Sequence, residues 1–243
     1  MHGDLYADNA NGRDGPATKV LWDSEPTRGF FRWWRDMIRD GLAINVGRNP
    51  MGAEHFMAVA AGRAAMAIGS SGALRSVVDV LEQGTVQGVE LGTGPMPALA
   101  GSIAGPPPGD GCVWMLSSRP KAEQQAAWTF LKWLLEPEQQ AEWFAGSGFV
   151  ALRQSAYNLP AAKRAMEKYP DFRVPVEELA FGPQPPTPET LGPVIGAFVE
   201  VREALAKAAE QMILGSKDPD QALAEAADAS NRAIQEYNKR LGR

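Results

Sequence analysis

Between Ser24 and Gly41 the apolar residues Phe30, Phe31, Trp34, Met37 and Ile38 recur at helical spacing, which gathers them on one face of an amphipathic helix. Ser24-Glu25-Pro26 supplies a cap with proline in the first turn, and Gly41 stops the pattern. A second helix is predicted over 50–61, carrying His55 and Phe56 and ended by Gly62. Arg63 to Ile68 reads as a short buried strand, broken by Gly69-Ser70-Ser71-Gly72 and followed by a helix from Ala73 to about Leu81. Lys19–Trp22, Val86–Leu91 and Cys112–Leu116 also read as strands, the last two joined through a Gly/Pro-rich stretch.

Pro120 opens a helix that Ser118 can cap, with Trp128, Leu131, Leu134 and Leu135 as its apolar face; Pro137 starts the next, through Trp143 and Phe144 to Gly146-Ser147-Gly148. A polar helical stretch covers 155–169, and the segment from Pro183 to Pro193 is too rich in proline to be regular. Two helices close the chain, one over 193–214. The other is opened by Asp218-Pro219 and striped with Leu223, Ala226, Ala227, Ile234, Tyr237 and Leu241. Trp34, Trp128 and Trp143 fall on apolar stripes and are expected in the core, as are Trp114 and Cys112 in their strand. The cluster Asn9, Asn11, Gly12, Asp14, Gly15, Pro16 marks turns near the start. Strands alternating with helices make the expected class α/β.

Composition adds boundaries to this picture. The chain has 243 residues, enough for one large domain or two modest lobes. Lys plus Arg number 24 against 29 acidic residues, so no basic surplus exists to neutralise phosphates and nucleic acid is not an expected partner. One cysteine and two histidines exclude an intramolecular disulfide and argue against a zinc cage. The first residues, Met1-His2-Gly3-Asp4, lack the basic and apolar regions of a secretory signal, and 55–74 is interrupted by Arg63, so neither a signal peptide nor a transmembrane span is expected here.

Candidate catalytic patterns do not survive their local context. Ser118-Arg119-Pro120-Lys121 matches the S-x-x-K of penicillin-binding serine enzymes but has no S-D-N or K-T-G companion, and helix capping accounts for it. His55 on a helix and His2 at a terminus give no serine triad. Gly92-Thr93-Gly94 lacks a third glycine and is followed by Pro95, which has no N–H to offer a phosphate. No cofactor is implied. The turn Ser70-Ser71-Gly72, by contrast, opens a helix, where unpaired N–H groups can hold a hydroxyl, carboxylate or phosphate.

Gly62-Arg63-Ala64-Ala65-Met66-Ala67-Ile68-Gly69-Ser70-Ser71-Gly72 resembles the G-x-x-A-M-x-x-x-x-S-G stretch of family 1 extracellular solute-binding proteins, the substrate-capturing subunits of bacterial ABC importers. The resemblance continues in order through Asn11-Gly12-Arg13-Asp14-Gly15, Val46-Gly47-Arg48, Val113-Trp114, Ala141-Glu142-Trp143, Gly148-Phe149 and Ser155-Ala156-Tyr157. It looks closest to the glycerol-3-phosphate-binding branch and covers nearly the whole chain.

Membership implies a two-lobed periplasmic-binding-protein-like fold of type II, with this chain as its C-terminal portion. Residues 1–88 and 139–243 would form the C-terminal lobe, and 89–138 would cross the hinge to a first lobe that is largely missing. The family binds solute in the cleft between lobes. Carried over, the ligand contacts are Ser70, Ser71 and Gly72, the turn Gly109-Asp110-Gly111, Phe149 where relatives often have Tyr, and Gly196 where an arginine pairs with phosphate. Ala73 stands in place of a second serine. Losing a charged bidentate partner weighs against glycerol-3-phosphate itself, leaving a neutral sugar or a glycerophosphodiester. The resemblance thus implies a monomeric, non-enzymatic solute-binding subunit working with membrane permease subunits on the periplasmic or extracellular face. The alternatives are a small hydrolase or transferase using a cleft carboxylate, and a fragment that binds nothing.

Overall fold

The computed structural model describes residues 4–48, 52, 54–84, 88, 90–97, 109, 111–181 and 185–242. Its helices are α1 (Asp8–Gly12), α2 (Glu25–Arg39), α3 (Glu54–Ala60), α4 (Leu74–Glu82), α5 (Lys121–Leu134), α6 (Pro137–Ser147), α7 (Pro160–Lys168), α8 (Val174–Glu178), α9 (Phe198–Ile213) and α10 (Pro219–Arg240). Short 3-10 turns sit at Ser71–Ala73, Gln154–Asn158, Pro170–Arg173 and Pro188–Thr190. The chain forms two compact units: Met1–Pro50 and Phe181–Arg243 belong to the first, Met51–Met96 and Gly109–Ala180 to the second.

In the first unit α9 and α10 pair as a helical hairpin. Asp218 accepts a hydrogen bond from the Asp220 N–H (3.0 Å) to start α10, and Gly215 takes the left-handed conformation that ends α9. Alanines at 208, 222, 226 and 227 let the helices approach closely around Val201, Met212, Leu223 and Ile234. Phe31 of α2 joins this core, and Arg32 holds both carboxylate oxygens of Asp220 at 2.9 Å, fixing α2 to the start of α10. Asn231 accepts from the Val20 N–H (2.8 Å) and Asn238 donates to the Ala17 carbonyl (2.9 Å), so α10 also anchors the segment leading to buried Trp22.

The second unit is centred on Phe144, which is wholly buried. Its ring meets Tyr157 (5.2 Å, 89°) and Phe172 (5.9 Å, 75°) edge to face. Alanines 141, 151, 156, 162 and 165 surround these rings, with Val78 of α4. The segment before the unit's sequence gap is tied to 171–178: Thr93 N–H donates to Asp171 (2.5 Å) and Met96 N–H to Glu178 (2.6 Å).

The helices follow the sequence reading closely; the strands do not. Arg63–Ile68 and Cys112–Leu116 form no strand, and they are open to solvent, with Met66 86% and Trp114 81% exposed. Lys19–Trp22 makes only the isolated antiparallel bridge Ala7–Val20, and Val86–Leu91 falls largely outside the described residues. The physical reason is that a strand is held by its neighbour's hydrogen-bonding edge, and no such neighbour lies beside these segments among the described residues. Three further expectations are corrected with them. Cys112 is exposed rather than buried. Trp128 and Trp143 are exposed, because no element among the described residues covers the outer faces of α5 and α6, and α5 buries no residue at all. Pro120, not Ser118, occupies the cap of α5. Among the described residues no helix is long and apolar enough to cross a membrane.

Candidate functional site

The Gly69–Gly72 turn is built by its own short side chains. Ser70 Oγ accepts from the Gly72 N–H (3.2 Å) and the Ala73 N–H reaches the Ser70 carbonyl (3.0 Å), which winds the chain through one 3-10 turn into α4. Ser71 is half-buried, and its hydroxyl makes no hydrogen bond among the described residues. The N–H groups of Gly72, Ala73 and Leu74 are thereby bonded within the turn, and the group it presents is the Ser71 hydroxyl.

Two aromatic rings frame it. A Cβ placed on Gly72 would lie 2.2 Å from Phe149 Cζ, so the Phe149 ring rests directly on that backbone. One placed on Gly69 would lie 1.9 Å from Phe56 Cζ and 2.9 Å from His55 Nε2. Glycine at both positions is what admits the rings. Trp143 stands behind Phe149 at 6.2 Å. Sequence reasoning found Phe149 through resemblance but missed Phe56, His55 and Trp143; the available signal was a pair of glycines bracketing the turn.

Phe149 is placed by the loop after α6. Gly148 ends that helix at φ +80°, and a Cβ there would meet the Ser71 carbonyl oxygen at 2.9 Å. Tyr157 Oη then accepts from the Ala151 N–H (2.7 Å) and donates to the Ala151 carbonyl (3.1 Å). Gln140 accepts from the Leu152 N–H (2.9 Å) and donates to the Leu134 carbonyl (2.8 Å). Burial pushes the Tyr157 phenol above its ordinary value, against the hydrogen bond from Ala151, so it stays protonated at neutral pH.

One turn further along α4, Arg75 lies 5.0 Å from the Tyr169 ring centre and pairs with Asp79, while Lys168 approaches the same ring at 4.7 Å. Glu82 takes the Tyr169 hydroxyl (3.0 Å) and Lys168 (3.1 Å), and its carboxyl is held below the usual range by Lys168 and Tyr169. Arg75, Lys168 and Tyr169, with Glu142 and Arg164, line a depression of about 250 Å³.

Of the residues singled out in the sequence, Ser70, Ser71, Gly72 and Phe149 come together. Gly109 and Gly111 lie in exposed chain, and Asp110 lies outside the described residues. Gly196 belongs to the first unit, where a Cβ would lie 1.9 Å from Tyr237 Cε1: the Tyr237 ring fills the space a side chain would need. Gly196, Val199, Glu200, Tyr237, Arg240 and Leu241 line an open depression of about 580 Å³ there. No group of three or more His, Cys, Asp or Glu able to hold a metal exists among the described residues.

The sequence pattern of bacterial extracellular solute-binding proteins matches residues 3–173. The chain belongs to that family. It is 25% identical over 237 residues to the sn-glycerol-3-phosphate-binding periplasmic protein UgpB of Escherichia coli K12, covering 96% of this chain and 52% of that protein. UgpB of Pectobacterium atrosepticum is 27% identical over 233 residues, covering 94% and 50%. The chain thus spans about half the length of the curated relatives it matches. Among solved structures, UgpB from Mycobacterium tuberculosis in complex with glycerophosphocholine superposes with a TM-score of 0.65 at 17% identity, covering 100% of this chain and 58% of that one. The cyclic α-maltosyl-1,6-maltose binding protein from Arthrobacter globiformis gives 0.55 at 20% identity, covering 90% and 51%. Both likenesses show the substrate-binding-protein fold expected from the sequence, here carried by a mainly helical part of it.

Proposed function

We propose that this chain is part of the substrate-binding component of a bacterial ABC importer and contacts a sugar or glycerophosphodiester-type solute through the Gly69–Gly72 turn. The observation that carries the reading is the uncommitted Ser71 hydroxyl at the opening of α4, with Phe56 and Phe149 standing on the flanking glycines. The hydroxyl meets a hydroxyl or phosphate oxygen of the solute, while the ring faces take the apolar side of a sugar or glycerol backbone. Relatives named for binding glycerol-3-phosphate, and a fold neighbour solved with glycerophosphocholine, support the substrate class.

In this reading residues 1–88 and 139–243 form one lobe and 89–138 cross to another, permease subunits receive the solute, the protein works in the periplasm or on the extracellular face of the cytoplasmic membrane, and no reaction is catalysed. Glycine at 196, where the resemblance places an arginine that pairs with phosphate, weighs against glycerol-3-phosphate and toward a phosphodiester or neutral sugar. The test is calorimetric titration with glycerophosphocholine, glycerol-3-phosphate, maltose and trehalose. Binding of glycerophosphocholine or a sugar, weakened by Ser71→Ala, is expected; heat from none of them in the chain extended to its relatives' full length sinks the proposal.

A further inference from the structure

Asn9, Ala10 and Asn11 carry φ/ψ of 51/49, 52/50 and 58/35, three consecutive non-glycine residues wound left-handed. L residues disfavour this conformation, and it persists only where the surroundings over-determine it. Here Asp8 accepts from the Thr18 N–H (2.8 Å) and the Thr18 hydroxyl, and Asn9 donates to the Pro16 carbonyl (2.7 Å). Those contacts set the shape of the turn. Asn11 connects it to something distant in sequence.

Asn11 is 2% exposed. Its Oδ1 accepts from the Ala7 N–H (2.8 Å), its Nδ2 donates to the Pro188 carbonyl (2.7 Å), and its own carbonyl accepts from the Val194 N–H (2.8 Å). Arg13 adds a hydrogen bond to the Gly192 carbonyl (2.8 Å), and a Cβ on Gly12 would strike the Val194 oxygen at 2.1 Å. Both the side chain and the carbonyl of one residue thus seize the same proline-rich loop, at its start and near its end. The left-handed backbone is what aims them together. Beyond Val194 the loop runs into buried Ile195 and then Gly196, on which Tyr237 lies.

We propose that Asn11 is a positioning residue: its left-handed turn is a latch that fixes the loop 188–195 and so sets Gly196 under Tyr237, at the mouth of the depression that Arg240 and Glu200 also line. The part of this that concerns solute rests on reading Gly196 as a ligand contact; the latch itself does not.

The test uses the whole chain with Asn11→Asp, which keeps the acceptor for Ala7 but removes the donor to Pro188, and Asn11→Gly, which keeps the backbone conformation and removes the side chain. Hydrogen exchange of the 187–196 amides should quicken by about tenfold or more in both, the cost of a lost buried partner, while α9 and α10 stay within about twofold. Unchanged loop exchange, or an equal rise in α9 and α10, overturns the latch, since the second result makes Asn11 an ordinary core residue. Should neither variant fold, Arg13→Ala is read the same way, with a rise of about two- to threefold expected. Where the parent chain binds glycerophosphocholine, the Asn11 variants should bind it about tenfold more weakly; full affinity with a loosened loop overturns the positioning role. Absence of solute binding in the chain extended to its relatives' full length removes the proposed function and leaves the latch to the exchange result.

Discussion

Removing one oxygen atom from Tyr157 tests how the loop carrying Phe149 is held. In Tyr157→Phe the ring stays edge to face with Phe144 at 5.2 Å, so the packing of the second unit's centre is kept. What disappears is the hydroxyl that meets both the N–H and the carbonyl of Ala151, a residue only 6% exposed. A buried polar group left without a partner costs about 1–3 kcal/mol, so two on one residue should cost roughly 2–4 kcal/mol together. For a unit of this size that lowers the melting midpoint by roughly 5–15 °C. Scanning calorimetry reads the midpoint directly, and near-ultraviolet dichroism reports whether the aromatic cluster is intact below it.

The pH dependence gives an independent reading. Burial raises the Tyr157 phenol in the folded state, so its contribution is fully present below the unfolded tyrosine value near 10 and is lost as pH rises through the higher folded one. The parent should lose stability above about pH 10 more steeply than Tyr157→Phe, which keeps only the limb due to Tyr6, whose phenol burial also raises. A midpoint lowered by less than about 2 °C, with identical alkaline limbs, would refute the assignment of the loop to this hydroxyl.

Phe144→Ala removes the wholly buried ring that three helical segments share and should cost about 3–5 kcal/mol, read as a shifted urea midpoint. Gly72→Val places a side chain where the Phe149 ring lies; thermal stability should fall by no more than about 1–3 kcal/mol, whereas solute binding should be lost in calorimetric titration. Arg32 holds the Asp220 carboxyl below its ordinary range, so this pair stabilises above the unfolded carboxylate value near 4 and fades as pH falls through the lower folded one. Arg32→Gln should flatten that acid limb in stability measured between about pH 5 and 2, and an unchanged limb would show that the pair contributes nothing.

The helices were legible because their signals are local. Ser24-Glu25-Pro26, Asp218-Pro219 and the stripe Leu223, Ala226, Ala227, Ile234 are each readable within a few turns, and the structure places α2 and α10 there. Cys112–Leu116 was not, because its apolar run states that the segment wants cover without stating what covers it. Trp143 shows the same limit, lying on an apolar stripe in sequence and in solvent in the structure. The Ser70-Ser71-Gly72 turn was legible as a helix opening, and resemblance added Phe149. Phe56 was not, since its approach to Gly69 follows from the path between two helices. At Asn9–Asn11 the composition said turn, but the left-handed winding depends on Asp8, Thr18 and a loop some 180 positions on, visible only in the folded chain.

The first unit is discontinuous in the chain: α2 ends at Arg39 and the helices it packs against begin at Phe198. At a synthesis rate of about 5–20 residues per second, roughly 10–40 s pass after α2 is made before α9 and α10 are complete. Throughout that interval Phe31 and Trp34 have no core to enter and lie beside Phe30 and Trp33, which stay exposed even in the folded chain, while the stretch from Glu54 to Glu178 can already close around Phe144. Until α9 and α10 are made, the apolar face of α2 is therefore an adhesive surface. A chaperone that grips aromatic segments would find its site on α2, and would have to let go only after α10 is made.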